Sequence, residues 1–310
     1  MPKEFAQLDW NDTVEDDCRQ LVRLAVREDL ARTYDWTTVS LVPQEVAGAA
    51  RVVSRRDGVI CGLQAAAIAL DEMGIPVSWI PTVADGDSVL AGTPVAEISG
   101  PARDLLTAER ILLNFIGRLS GVATLTKQYA KAVEDTPARI YDTRKTTPGW
   151  RRLEKYAVRC GGGKNHRQGL YEAVLIKDNH LAFGAHHTRA TTPADAIRQA
   201  RQFLVEVLGE KQAAEMIVEI EVDTLEQLEL VLPQKPDIVL LDNMPPEALR
   251  QAVAMRNEVD PDVESIELEA SGGIDLATIR AVALAGVERI SVGALTHSAV
   301  NFDVGLDWLT

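Results

Sequence analysis

Residues 237–256, DIVLLDNMPPEALRQAVAMR, hold one complete structural unit. An apolar run begins after Asp237, a polar end comes at Asp242-Asn243, and a helical stretch covers 245–256. A short apolar strand, a polar strand end and a helix in succession are the signature of a parallel α/β sheet or barrel. The same order recurs on both sides of this unit. Strands are expected at 138–142, 173–177, 216–222, 237–242, 265–270 and 289–292, with helices at 193–208, 245–256 and 276–285 between the later ones. Thr192, Asp242 or Asn243, and Asp275 are the expected N-terminal caps of those helices. Six such units suit a short barrel.

Residues 1–118 read differently. A helix is expected at 14–30, a strand at 77–80, a turn at Asp85-Gly86-Asp87 and a second strand at 94–98 that stops at Gly100-Pro101. These make a small α+β unit. Leu105, Leu112, Phe115, Ile116 and Leu119 then follow helical spacing, which predicts a helix joining two domains. The expected domains are 1–118 and 119–297, and a tail, 298–310, carries Phe302, Leu306, Trp308 and Leu309 for docking back on the first domain.

Composition narrows the function classes. With 46% hydrophobic and 25% charged residues in 310, the chain is neither a disordered polymer nor a disulfide-stapled miniprotein. A net charge of −14 disfavours non-specific attraction to nucleic acid or anionic lipid, so any anion site must be local. Cys18, Cys61 and Cys160 are too few and too scattered for a disulfide framework or a zinc quartet, which fits a reducing compartment. There is no basic start followed by an apolar leader, and no run of 18 apolar residues free of charge. A cytoplasmic protein with no membrane or nucleic-acid partner is expected.

Chemistry in such folds gathers where strands end and the following loops begin. Here those ends are Asp142-Thr143-Arg144-Lys145, Lys177-Asp178-Asn179-His180, Glu221, Asp242-Asn243, Ser271-Gly272-Gly273 and Gly293. A single Asp at a strand end is commonly a helix cap. Six polar ends in a row point to a site. Residues 144–177 hold nine Lys or Arg against Glu154 and Glu172, a net of +7 that leaves −21 for the remainder of the chain. Arg151, Lys155 and Arg159, spaced by four, are expected on a solvated helix face between Thr147-Pro148 and Gly161. Arg144, Lys145, Arg167 and Lys177 lie instead at strand ends or in a glycine-rich loop, where a cation needs an anion to meet. The fork of Arg144 and Arg167 matches carboxylates, whereas Lys145 and Lys177 suit phosphate or a leaving group. Strand parity puts Glu219 and Glu221 on one face, and Glu267, Glu269 and Ser271 on one face, opposite the apolar residues that must meet helices. The glutamates then point into the barrel, where cations or a metal must meet them. The glycine turns at Ser271-Gly272-Gly273 and Val292-Gly293-Ala294 suit a phosphate; GxxxxGK[ST] and GxGxxG spacings are missing, so ATP and dinucleotide readings lose support.

At this point the chain resembles the quinolinate phosphoribosyltransferase family. The resemblance is carried by DTRKTTPGWRRLEKYAVRCGGGKNHRQGL (142–170), LIKDNH (175–180), EIEVDTLEQL (219–228), LLDNM (240–244), EASGGI (269–274) and ISVGALTHS (290–298), and upstream by AERILLNFIGRLSGVAT (108–124). Trp150 stands where Leu is expected. The resemblance implies an α/β fold class: an N-terminal α/β (α+β) sandwich domain plus an incomplete TIM-like α/β barrel, with the active site at the C-terminal ends of its strands. It implies dimers or multiples of dimers. It also implies the joining of quinolinate to 5-phosphoribosyl-1-pyrophosphate (PRPP) with Mg2+, giving nicotinate mononucleotide, pyrophosphate and CO2 in NAD biosynthesis.

Residue by residue, the resemblance places the quinolinate carboxylates among Thr143, Arg144, His166, Arg167 and Lys177, with Arg110 supplied by a neighbouring subunit. PRPP and its Mg2+ fall near Lys145, Lys177, Glu221 and Asp242, with Lys145, Glu221 and Asp242 as catalytic residues and Glu221 and Asp242 holding the metal directly or through water. The 5-phosphate falls at Ser271, Gly272, Gly273, Val292, Gly293 and Ala294. Two other enzymes compete: a related phosphoribosyltransferase for another base, and a Schiff-base aldolase or decarboxylase with Lys177 as nucleophile. A non-enzymatic scaffold is the third alternative.

Overall fold

Cap and turn chemistry sets the boundaries of many elements. The computed structural model describes residues 2–184, 192–261 and 266–309, so the expected strand start at Ser265 lies outside the described residues. The first helix, Asp12–Leu30, begins where the Asn11 side chain accepts the N–H groups of Thr13 and Val14, and it buries Val14, Cys18 and Val22. Five strands follow: β1 (Ala47–Ser54), β2 (Gly58–Val59), β3 (Ser78–Pro81), β4 (Ser88–Val89) and β5 (Pro94–Pro101). Both β1 and β3 pair with β5 antiparallel, and β2 pairs with β4. The predicted joining helix is real and longer than its apolar spacing suggested, Ala102–Ala132, with Leu105, Leu112, Phe115, Ile116 and Leu119 buried.

Six parallel strands come next: β6 (Arg139–Tyr141), β7 (Ala173–Ile176), β8 (Ile217–Val222), β9 (Ile238–Asp242), β10 (Glu267–Ser271) and β11 (Arg289–Ser291). Their order in the sheet is β6-β11-β10-β9-β8-β7. Consecutive strands are neighbours from β7 to β11, and β6 joins the far edge through β11, as strands wound around a barrel do. Among the described residues β6 and β7 form the two edges, so the barrel is incomplete. The tail contributes β12 (Val304–Trp308), antiparallel to β1 from Ala50↔Trp308 to Ser54↔Val304. No helix among the described residues is long and apolar enough to cross a membrane.

The chain divides into two compact units, each made of separate stretches of sequence. One comprises Leu8–Gln128, Lys145–Gly163 and Ala294–Thr310, the other Met1–Gln7, Tyr129–Arg144 and Lys164–Gly293. Four segments fall on the other side of the expected division, 1–7, 119–128, 145–163 and 294–297. The first seven residues belong with the barrel, where Phe5 forms a buried cluster with Ala173, Ile217 and Ile238. Residues 145–163 belong with the N-terminal unit: Arg152 pairs with Asp17 at 2.7 Å, and Trp150 stacks on Phe115 with ring centroids 4.9 Å apart. That stacking occupies the place where Leu was expected.

Helix starts separate the correct caps from the wrong ones. Pro193–Leu208 opens with a capping box between Thr192 and Asp195. Neither Asp242 nor Asn243 caps the next helix, Pro246–Val259, whose N-cap position is Pro245. Asn243 instead adopts φ 53° and donates its Nδ2 to Asp242 Oδ2 at 2.6 Å. The expected helix 276–285 shortens to Ile279–Ala283, because Asp275 Oδ1 accepts the N–H groups of Ala277 and Thr278 at 2.9 Å each and holds a turn in front of it.

Candidate active site

The ends of the parallel strands set the candidate residues in a row along the sheet. From one edge to the other they are Thr143 and Arg144 after β6, Val292 and Gly293 after β11, Ser271-Gly272-Gly273 at β10, Asp242 at β9, Glu221 in β8 and Lys177 after β7. All of these belong to the barrel unit. Lys145, Ala294 and Arg110 belong to the other unit.

At the β6 edge the buried residue Asp142 is an organiser and no helix cap. Its Oδ1 accepts the N–H of His166 at 2.9 Å and its Oδ2 accepts Asn165 Nδ2 at 2.6 Å. Its own N–H reaches Lys164 O at 3.0 Å. The segment 164–167 is thereby laid against β6, and His166 and Arg167 are both buried. Arg167 donates from its guanidinium to Ala173 O at 3.0 Å. Burial holds the Arg167 guanidinium below its ordinary pKa; the charge of Glu219 opposes this, and the nearby positive charge of Arg144 adds to it. The buried Arg167 and the half-buried Arg144 therefore lie within electrostatic reach of one another.

His166 faces inward. Its ring stacks on Phe5 with centroids 4.4 Å apart, and its Nδ1 accepts the N–H of Arg167 at 2.8 Å. That bond leaves the ring proton on Nε2, which lies 3.2 Å from Glu219 Oε2 and 3.5 Å from Glu269 Oε1. His166, Glu219 and Glu269 form a compact donor set whose ligand atoms lie within 4.8 Å of one another. A metal at Nε2 would have to displace the proton that the Nδ1 bond places there, while Glu219 Oε2 and both carboxylate oxygens of Glu269 are buried without a hydrogen bond among the described residues. Strand parity correctly brought Glu219, Glu267 and Glu269 inward, and all three are buried. The partners of Glu267 are Arg139 and Arg289.

Desolvation, reinforced by the charge of Glu219 against the opposing charge of His166, pushes the Glu269 carboxyl up to about 7. The folded protein therefore holds this proton more tightly than the unfolded chain does. The stability it contributes is fully present below the ordinary glutamate pKa and is lost as pH rises towards 7. Glu269→Gln keeps the shape without the ionisation. Its stability relative to the wild type should rise by about 3 kcal/mol between pH 4.5 and pH 8. Urea unfolding at the two pH values checks this, and an equal difference at both would show that Glu269 does not titrate in that range.

Towards the other edge, Lys177 Nζ forms an ion pair with Glu221. Burial raises the Glu221 carboxyl, the ion pair with Lys177 lowers it, and the charge of Asp242 on the next strand raises it again. Glu221 and Asp242 are thus electrostatic neighbours offering oxygen ligands, a set that fits Mg2+, which takes one or two carboxylates and keeps other positions for water and substrate phosphate. At β10, Gly272 and Gly273 adopt φ 95° and 62°. A Cβ on Gly272 would lie 2.3 Å from Asn243 Oδ1, so this turn tolerates only glycine.

In the other unit, Lys145 is exposed. Its neighbours in the cationic run divide by function. Arg151 Nε donates to Thr146 Oγ1 at 3.1 Å, and Arg159 to Gly163 O at 3.2 Å. Lys155 is fully buried in the helix Arg151–Cys160, which corrects the expected solvated face. The glycine triple makes room for packing: a Cβ on Gly161 would meet Ala123 O at 2.4 Å. Arg110 is exposed on its helix and makes no ion pair among the described residues. Sequence reasoning missed Phe5, which no local pattern marks as a barrel residue; the supporting role of Asp142 was masked by the cap that a strand-end Asp usually makes.

Comparisons with known proteins agree with this layout. Residues 35–120 match the N-terminal domain of quinolinate phosphoribosyl transferase and residues 122–307 match its C-terminal domain. The nicotinate-nucleotide pyrophosphorylase [carboxylating] of Mycobacterium leprae is 42% identical over 94% of this chain and 97% of its own length. The chloroplastic enzyme of the same name from Arabidopsis thaliana is 37% identical over 94% of this chain and 82% of its own. The nicotinate-nucleotide pyrophosphorylase of Francisella tularensis superposes with a TM-score of 0.86 at 34% identity, over 99% of this chain and all of that one. With both domain models matched in order along a chain of the same architecture, the protein belongs to the quinolinate phosphoribosyltransferase family.

Proposed function

We propose that the protein transfers the phosphoribosyl group of PRPP to quinolinate with loss of CO2, giving nicotinate mononucleotide and pyrophosphate. The observation that carries this is the electrostatic proximity of Arg144 and Arg167, whose guanidinium groups repel one another and which a planar dicarboxylate would relieve. Thr143 and Lys177 complete that subsite. His166, with both ring nitrogens engaged inside the protein, serves it by holding the Arg167 backbone. Two carboxylate-matching guanidinium groups favour a dicarboxylate base over the substrate of a related transferase. The ion pair of Lys177 with Glu221 counts against a Schiff-base lysine, which must offer an unprotonated amine.

In the transfer the pyridine nitrogen attacks the ribose C1 while the bond from C1 to the pyrophosphate oxygen breaks. Positive charge builds on the ribose, and Glu221 and Asp242 offset it. Lys145 meets the charge leaving with pyrophosphate, and the 5-phosphate rests on the turns at Ser271, Gly272, Gly273 and Val292, Gly293, Ala294. Glu221 and Asp242 would hold Mg2+, which when bound neutralises pyrophosphate charge. Once the ring nitrogen is quaternised, the adjacent carboxylate departs as CO2, its electron pair stays on the ring carbon beside the cationic nitrogen, and that carbon takes a proton. The protein's share of the last step is binding and exclusion of water. We further propose a homodimer in which Arg110 reaches the neighbouring site, and a cytoplasmic setting in keeping with the free thiols of Cys18, Cys61 and Cys160.

The test is an assay of carboxyl-labelled quinolinate with PRPP and Mg2+. CO2 should appear only when both are present, in step with nicotinate mononucleotide. Release of CO2 without PRPP would overturn the order of steps, and no product from any combination would overturn the assignment.

A further inference from the structure

Lys145 sits in a loop whose backbone is held at two points, at Lys145 itself and at Thr147. Its carbonyl accepts the hydroxyl of Thr296 at 2.8 Å. Two residues on, Thr147 donates its N–H at 3.1 Å and its hydroxyl at 2.9 Å to the carboxylate of Glu154. Both anchors are fully buried. They converge on Arg118, whose guanidinium donates to Glu154 Oε1 at 2.5 Å and to Thr296 O at 2.5 Å, and adds Ala299 O at 3.0 Å. The circuit is closed: Lys145 to Thr296, Thr296 to Arg118, Arg118 to Glu154, Glu154 to Thr147. Arg118, Glu154 and Thr296 come from three helices far apart in sequence, Ala102–Ala132, Arg151–Cys160 and Ala294–His297, and all members of the circuit lie in one compact unit.

A buried ion pair is a poor device for stability alone, since an apolar group of similar volume often serves as well. It is a good device for fixing geometry, because each group has a direction to satisfy. We infer that Arg118, Glu154 and Thr296 are positioning residues that set the backbone at Lys145 and just after it, and so the place at which its ammonium meets the departing pyrophosphate. This rests on the role proposed above for Lys145. Displacement of a catalytic group by about 1 Å can cost up to roughly 100-fold in rate.

Thr296→Val removes the hydroxyl and keeps the shape. It should lower kcat about 10-fold while leaving KM for quinolinate and PRPP within about 2-fold, and Thr296→Ser should restore kcat. Glu154→Gln, tested beside it, should show the same split. The decisive arm is the double variant: on a Lys145→Ala background, Thr296→Val should cost nothing further, because the group it positions is gone. A purely structural role would give the same fractional loss with or without Lys145, and that result overturns the inference. So does wild-type kcat in both Thr296→Val and Glu154→Gln while Lys145→Ala is impaired. Wild-type kcat in Lys145→Ala would overturn the lysine's role and the inference with it, whereas a wild-type protein without turnover would be the failure of the proposed function.

Discussion

Arg289→Met is expected to lower the free energy of unfolding by about 3–5 kcal/mol, the usual result of leaving a buried charge without its partner. Arg289 is fully buried on β11, where Nε donates to Glu267 on β10 and NH2 donates to Glu4 Oε1 and Lys3 O, each at 3.0 Å. Its guanidinium lies 4.5 Å from the centroid of the Tyr141 ring and 5.4 Å from that of Phe5. One side chain therefore ties two strands to the N-terminal segment. After substitution, Glu267 keeps only Arg139, whose side chain is 39% exposed, and Glu4 keeps the Tyr141 hydroxyl at 2.7 Å. The methionine fills most of the space, so the loss reports on charge and not on a cavity. Urea unfolding measures it, and the double variant Arg289→Met, Glu267→Leu should recover at least about 1 kcal/mol, since the stranded carboxylate is removed as well. A single variant as stable as the wild type would show that Glu267 and the N-terminal segment do not depend on this arginine.

The same arginine shows where sequence reading stops. The strands were legible because each is a short apolar run closed by a polar end, and β7 to β10 fall within about a residue or two of expectation, as boundary chemistry allows. The helix Pro193–Leu208 was legible at both ends, because Thr192, Pro193 and Gly209 are local signals. Inward-facing glutamates followed from a two-residue period. Partners did not: Glu4 meets Arg289 across 285 residues of chain, and Phe5 meets His166, also far along the chain. No local pattern encodes such contacts. Asn243 was misread as a cap because its side chain prefers local hydrogen bonds, and here it spends one on Asp242 in a left-handed turn against Gly272. Lys155 was misread because a spacing of four marks a helix face without saying whether water or protein covers it.

Catalysis should be lost in Arg110→Ala and in Lys145→Ala, and regained when the two are combined. Each removes a cation from the proposed site, and losing one preorganised charged contact typically costs about 100- to 1,000-fold in kcat. Arg110 is exposed in the single chain, on a helix whose neighbours Ile111 and Leu112 are buried, so its guanidinium projects away from its own unit's core. An arginine so placed can serve a site on a second copy of the chain. In a two-fold dimer the same surface meets itself, so a mixed pair holds one site that lacks both cations and one that lacks neither. Random reassortment makes about half the dimers mixed, each with one of two sites intact, so activity should recover to roughly a quarter of wild type. Differently tagged subunits, co-refolded and co-purified, establish that exchange has occurred. Given exchange, a mixture as inactive as its parents would place Arg110 outside the partner's site. Strong recovery before exchange would mean that one parent was never inactive. Recovery only after exchange would tie Arg110 to a site completed by the partner and locate Lys145 in the same site, which no single substitution can do.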